Sequence, residues 1–123
     1  MAMGVKSYKD LIVWQKAMDL VGEVYKLVKF LPREETYALS DQMRRAVVSI
    51  PSNIAEGQER NSSKEFAQFL SIARGSKAEL ETQLCICVRL GYLTEDQIRI
   101  AGDLCAEVGK MLNAIQLTLT TNH

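Results

Sequence analysis

Histidine is nearly missing from this 123-residue sequence, which holds a single one at position 123. That scarcity excludes His-based catalytic triads, His–Cys nucleophile pairs and His-containing zinc sites. It also excludes the di-iron and di-manganese centres of helical bundles, which need Glu-x-x-His pairs facing inward. No metal or other cofactor is expected. Proline occurs twice and glycine seven times, too few for a chain of loops and well suited to long helices with short connections. No Gly-rich phosphate loop of the GxxxxGK[ST] kind is present. Neither sign of charge is in excess: Lys plus Arg and Asp plus Glu stand at 15 each. A protein that grips nucleic acid through phosphates usually carries a basic excess, so only a local basic patch, repeated by oligomerisation, suits that task here. No apolar run approaches the ~20 residues of a membrane span, and the N-terminus shows no signal-peptide core. A cytoplasmic location and no membrane role are expected. The three cysteines, Cys85, Cys87 and Cys105, form no disulfide framework and read as small buried hydrophobes in a reducing compartment.

Hydrophobic residues make up 47% of the chain, and their periodicity is helical throughout. A first helix is predicted at about 8–30. Leu11, Trp14, Met18, Val21, Tyr25 and Val28 form one stripe, and Val13, Ala17, Leu20, Val24, Leu27 and Leu31 a second. Together they cover roughly 200° of the helix, against the ~100° that a bundle helix needs. The surplus points to a subunit contact, with Val13, Trp14, Ala17, Leu20 and Val24 as candidate interface residues. The bland alternative is a helix well wrapped by its own bundle.

Pro32 closes that helix. A second is predicted at about 37–59, carrying Leu39, Met43, Ala46, Val47, Ile50 and Ile54. Pro51 falls inside it and removes a backbone donor, so a kink is expected, with a break into two helices as the alternative. Ser49, Ser52 and Asn53 are available to satisfy freed backbone groups. Ser62 and Glu65 form a capping-box pair before a third helix at about 63–90, and Gly91 is suited to end it. Thr94 and Gln97 repeat the capping signature before a fourth at about 95–118. Its seam runs Ile98, Ala101, Cys105, Val108, Leu112, Ile115 and Leu119. The tail beyond about Thr118 is expected to fray. The fold class that follows is all-α: one domain, an antiparallel up-down-up-down four-helix bundle.

The charged residues offer candidates for binding. Arg44 and Arg45 form the most suggestive basic pair, but a hairpin of helices two and three sets Arg44 against Ala78 and Glu79. An ordinary interhelical salt bridge is then the favoured explanation. Arg60, Lys64 and Arg74 add to a basic surface without sharing one helical face. Lys77 sits among Ala73, Leu80 and Leu84 on an apolar face, where snorkelling at the bundle edge competes with lining an oligomer cleft. Ser76 with Lys77 is a formal serine–lysine pair, yet adjacent helix residues diverge and no oxyanion loop accompanies them. Asn53 and Glu56 read first as local polar partners near Pro51. No catalytic residue is assigned, and the chain reads as not an enzyme.

The run RRAVVSIPSNIAEG, from Arg44 to Gly57, is distinctive, as are DLIVWQKAMDLV before it and SSKEFAQFLSIARGSKAELETQL after it. Over Tyr8 to about Leu93 the chain resembles the small bacterial four-helix-bundle proteins encoded within intervening sequences of 23S rRNA genes. The resemblance implies a homopentamer, a barrel of five bundles around a central opening. It also brings in a related branch, the accessory variability proteins of diversity-generating retroelements, which bind nucleic acid and partner with a reverse transcriptase. That branch is basic and this chain is neutral. Arg44 and Arg45 match the family's Arg pair, and Ser49, Pro51, Ser52, Asn53, Glu56 and Gly57 belong to its SIPSNIAEG segment. The function expected is therefore a non-enzymatic, self-assembling bundle that binds RNA or DNA through basic patches repeated around a ring. A protein-binding adaptor with no nucleic-acid role is the alternative.

Overall fold

In the computed structural model, which describes residues 6–121, four long helices follow one another: α1 (Ile12–Val28), α2 (Leu39–Gln58), α3 (Ser63–Arg89) and α4 (Arg99–Thr121). Short 3-10 turns at Tyr8–Asp10 and Arg33–Glu35 precede α1 and α2. Each helix packs on its chain neighbours and α4 closes on α1, with no diagonal contact of α1 to α3 or α2 to α4. This is the square, antiparallel bundle that the periodicity predicts, and no strand occurs among the described residues. His123 and the last part of the expected fraying tail lie outside the described residues.

The core is built from one stripe of each helix. Val13, Ala17, Leu20 and Val24 of α1 meet Met43, Val47, Ile50 and Ile54 of α2, with Leu70, Leu80 and Cys87 of α3 and Ala101, Cys105, Val108 and Leu112 of α4. This corrects one expectation. Val13, Ala17, Leu20 and Val24, read as candidate interface residues, are at most 2% exposed and spent inside the protomer. Only Trp14 of that set stays half-exposed. α1 has two apolar stripes, and periodicity cannot say which of them its own bundle covers. Contact with both α2 and α4 decides it.

The ends of the elements are set by local chemistry. The Ser7–Asp10 capping box closes the first turn, and Leu11 then adopts an extended conformation, so α1 begins later than expected. Tyr8 is thereby folded edge-on against Trp14, with ring centroids 5.4 Å apart. α2 starts at Leu39, two residues later than expected, and runs unbroken through Pro51, which is buried. Ser62 caps α3 by accepting from the Glu65 amide at 3.1 Å. Gly91, at φ +78°, ends α3 in a Schellman motif: Tyr92 N–H donates to the Cys87 carbonyl and Gly91 N–H to that of Val88. Tyr92 also donates its hydroxyl to Glu35 at 2.8 Å, which ties the α3–α4 connection to the α1–α2 connection at one end of the bundle. Thr94 and Gln97 form the reciprocal hydrogen bonds expected of them, but they close a turn, and regular α4 starts only at Arg99.

α2 and α3 approach closely near their shared turn. A Cβ built on Gly57 would lie 2.7 Å from Phe69 Cβ and 2.9 Å from Phe66 Cδ1, whereas one on Gly22 would meet nothing within 4 Å. The glycine hydrogen is what admits the two phenylalanines. Gly57→Ala should therefore destabilise the protein by about 1–3 kcal/mol through overpacking. Gly22→Ala should stabilise it by about 0.5–1 kcal/mol through helix propensity alone. Urea unfolding of the two variants beside the parent checks the opposite signs.

Candidate functional site

The SIPSNIAEG segment occupies the middle and end of α2, and Ser49, Asn53 and Glu56 in it each have a polar partner. Ser49 Oγ lies 2.8 Å from Ser76 Oγ of α3, and Asn53 donates to both the Ser49 carbonyl (2.7 Å) and its hydroxyl (2.9 Å). This is a polar latch between α2 and α3. It stands beside Pro51, where the ladder of backbone bonds lacks a donor. Pro51 and Ser52 line a shallow depression with Tyr8, Trp14, Met18 and Val21. Glu56 pairs with Arg60 at 3.2 Å, and the Arg60 guanidinium stacks 4.8 Å above the Phe69 ring. Gly57 is the contact point already described. The segment acts as the α2 side of the α2–α3 interface, and no nucleophile–base pair is assembled from it.

The expected basic residues do not form one patch. Arg44 and Arg45 lie on the α1–α2 side, bordering a depression with Tyr25, Asp41, Val48 and Ser49. Arg45 pairs with Asp41 one helical turn away at 3.0 Å. The interhelical bridge expected of Arg44 is not made. Ser49 faces Ser76, so the register differs from the one that set Arg44 against Ala78 and Glu79. Arg44 instead donates to the Thr36 carbonyl at 3.1 Å, an acceptor left open by the turn before α2. Glu81 is taken by Lys77 at 3.0 Å.

Lys77 resolves simply. It occupies a core-side position of α3, its side chain is 20% exposed, and its stem crosses Gly109 of α4, whose missing Cβ leaves the room. The charge snorkels to Glu81 while the methylenes pack.

Lys64 and Arg74 were read as belonging to different helical faces, yet both line one groove of about 760 Å³ between the first half of α3 and the second half of α4. Sequence reasoning missed the other wall, formed by Asn113, Gln116 and Thr120 of α4. Arg74 donates to Gln116 Oε1 at 2.7 Å. Gln116 Nε2 is in turn held by the Ala67 carbonyl (3.0 Å) and Ser71 Oγ (2.8 Å). The recurrence of Asn113, Gln116 and Thr120 along α4 was the available signal, since amides and hydroxyls at helical spacing make a polar stripe.

The second stripe of α1 remains uncovered. Met18 and Tyr25 are more than two-fifths exposed, and Val48 of α2, beside them, is 40% exposed. With Trp14 and Val21 they form an apolar strip along the α1–α2 side. α1 and α2 make no diagonal contact with α3 and α4, so this strip lies on the side of the bundle away from the α3–α4 groove.

No group of three or more metal-ligating side chains exists among the described residues, and none of their helices is long and apolar enough to cross a membrane. Four helices with no strand among the described residues define the class: an all-α four-helix bundle. The chain belongs to the family of 23S rRNA-intervening sequence proteins, which it matches over residues 9–114. It is similar to a crystal structure from Bacteroides thetaiotaomicron VPI-5482, a protein of unknown function from the S23 ribosomal protein family. The two share 29% sequence identity at a TM-score of 0.79, over 85% of this chain and 98% of that one. No curated protein matches the chain. Neither the family nor the neighbour is described by an enzymatic activity.

The cysteines divide sharply. Burial pushes the Cys87 thiol up to about 11, with the Glu35 carboxylate adding to it. Burial pushes Cys105 up to about 12; Glu81 reinforces the shift and Lys77 opposes it. Cys85 is exposed. Thiol labelling at pH 8 should modify Cys85 rapidly and the other two only on unfolding. Both shifted thiols hold their protons longer in the folded state than in the unfolded one. Their stabilisation is therefore full below the unfolded value near 9 and declines as pH rises towards 11–12. Thermal melts between pH 8 and pH 11 should show that decline, and Cys105→Ala should flatten it.

Proposed function

We propose that the chain is a non-enzymatic, self-assembling helical bundle that presents repeated cationic surfaces to RNA or DNA. The carrying observation is the uncovered apolar strip of Trp14, Met18, Val21 and Tyr25 on α1 with Val48 on α2. A helix face of that kind is covered in solution by a partner, and a second copy of the chain is the partner that family resemblance supports. A ring is built from heterologous contacts, in which one patch of each protomer meets a different patch of the next. Five protomers, the number that the resemblance implies, would repeat each weak cationic site five times and gain avidity that a neutral monomer lacks. Nothing in the residues brought together supplies a nucleophile with its base, which supports a binding role over a catalytic one. A cytoplasmic setting fits the raised, reduced thiols of Cys87 and Cys105.

Light scattering of the parent should report an oligomer at micromolar concentration. Met18→Lys with Val48→Lys alters two already exposed side chains and should shift the protein towards monomer while its helical circular dichroism is kept. A monomeric parent would refute the assembly. Electrophoretic shifts with RNA and DNA should weaken steeply between ~50 and ~200 mM salt. A partner that stays bound to the oligomer after nuclease treatment, with no shift at low salt, would instead favour the adaptor reading.

A further inference from the structure

We propose that the α3–α4 groove is a phosphate-binding site, organised around Arg74, for a ligand that carries more than one phosphate. This rests on the nucleic-acid reading above and assigns it a place. Five cations of the described chain are neutralised by a carboxylate: Lys16 by Glu107, Arg45 by Asp41, Arg60 by Glu56, Lys77 by Glu81 and Arg99 by Asp96. Arg74, like Arg44, is held by no carboxylate. Its partner is the neutral Gln116 amide, 2.7 Å away, and that amide is itself pinned by the Ala67 carbonyl and the Ser71 hydroxyl. The guanidinium is thus oriented without being neutralised. An Arg so placed retains N–H donors for a planar, bidentate acceptor.

The surroundings fit the same ligand. No Asp or Glu lines the groove. Lys64 stands ten residues before Arg74 on α3, which is ~15 Å along the helix axis. One phosphate cannot span that distance, so the two cations select a chain of phosphates. Gln68 and Asn113 add amide donors on the two walls. The groove is open and also presents apolar surface, with Ala67 and Leu117 in its lining. The groove faces away from the apolar strip.

Inorganic tripolyphosphate, titrated by calorimetry into the intact protein, and a fluorescently labelled 12-nucleotide single strand, followed by anisotropy, separate the two sources of phosphate. Arg74→Gln should weaken both probes roughly tenfold, the loss of a charge-assisted contact. Asn113→Glu, an exposed change that places a carboxylate in the groove without touching the core, should do the same. Lys16→Gln, on α1, should change either affinity less than about threefold. The logarithmic salt slope for the oligonucleotide should be about −1.4 per groove, for two phosphates neutralised on a single strand. If tripolyphosphate binds and the oligonucleotide does not, the groove takes a free phosphorylated ligand and the nucleic-acid reading falls alone. Oligonucleotide binding that survives Arg74→Gln and Asn113→Glu would overturn the groove and leave that reading standing. Poly-glutamate competing as well as tripolyphosphate would overturn the phosphate assignment, and no binding of either probe would overturn both proposals.

Discussion

The close approach of α2 to α3 governs much of what surrounds it. Gly57 lets Phe66 and Phe69 sit against the α2 backbone, and the Ser49–Ser76 contact fixes the two helices a few turns further along. Between these points lies Pro51, where α2 has one backbone donor fewer. A regular helix interior is weakened there by ~3 kcal/mol, yet α2 continues unbroken because Pro51 is buried against its neighbours. Asn53 adds two hydrogen bonds onto Ser49, each contributing about 0.5–1.5 kcal/mol net in such settings. The segment that identifies the family is therefore a packing device. Its polar residues hold an interface between helices.

That fixed hairpin determines which surfaces are left for function. With α2 locked to α3, the remaining helices close the square, and each side of the square is either covered or not. The α1–α2 side keeps an apolar strip, while the α3–α4 side keeps a groove with cationic and amide side chains in its lining. The division of labour follows from composition: α1 has more apolar arc than its neighbours can bury, and α4 carries Asn113, Gln116 and Thr120 along one edge. A neutral chain can still hold a local cationic site, because five of its cations are paired with carboxylates while Arg74 is braced by an amide instead. Net charge averages over these cases and so conceals local differences.

Much of the architecture was legible from residue order alone. Four helices, their seams, the Gly91 cap and the Ser62 and Thr94 capping signatures all follow from interactions within about five residues, where spacing and chemistry suffice. Element starts were less legible. Leu11 and the turn before α2 depart from helix because side chains such as Asp10 compete for backbone amides, and that competition is settled by packing nearby.

The residues whose meaning changed were those that depend on what stands across a helix interface. Val13, Ala17, Leu20 and Val24 became core when two helices covered them, and Lys77 became ordinary when Gly109 proved to lie beneath its stem. Lys64 and Arg74 became one site when α4 supplied the opposite wall. Periodicity describes a single helix and carries no information on the rotation of its neighbour. By itself the sequence determined the class of the fold, the absence of histidine chemistry and the family motif. Only the tertiary structure decided which apolar stripe is buried and which cations share a groove, since both depend on contacts between side chains tens of residues apart.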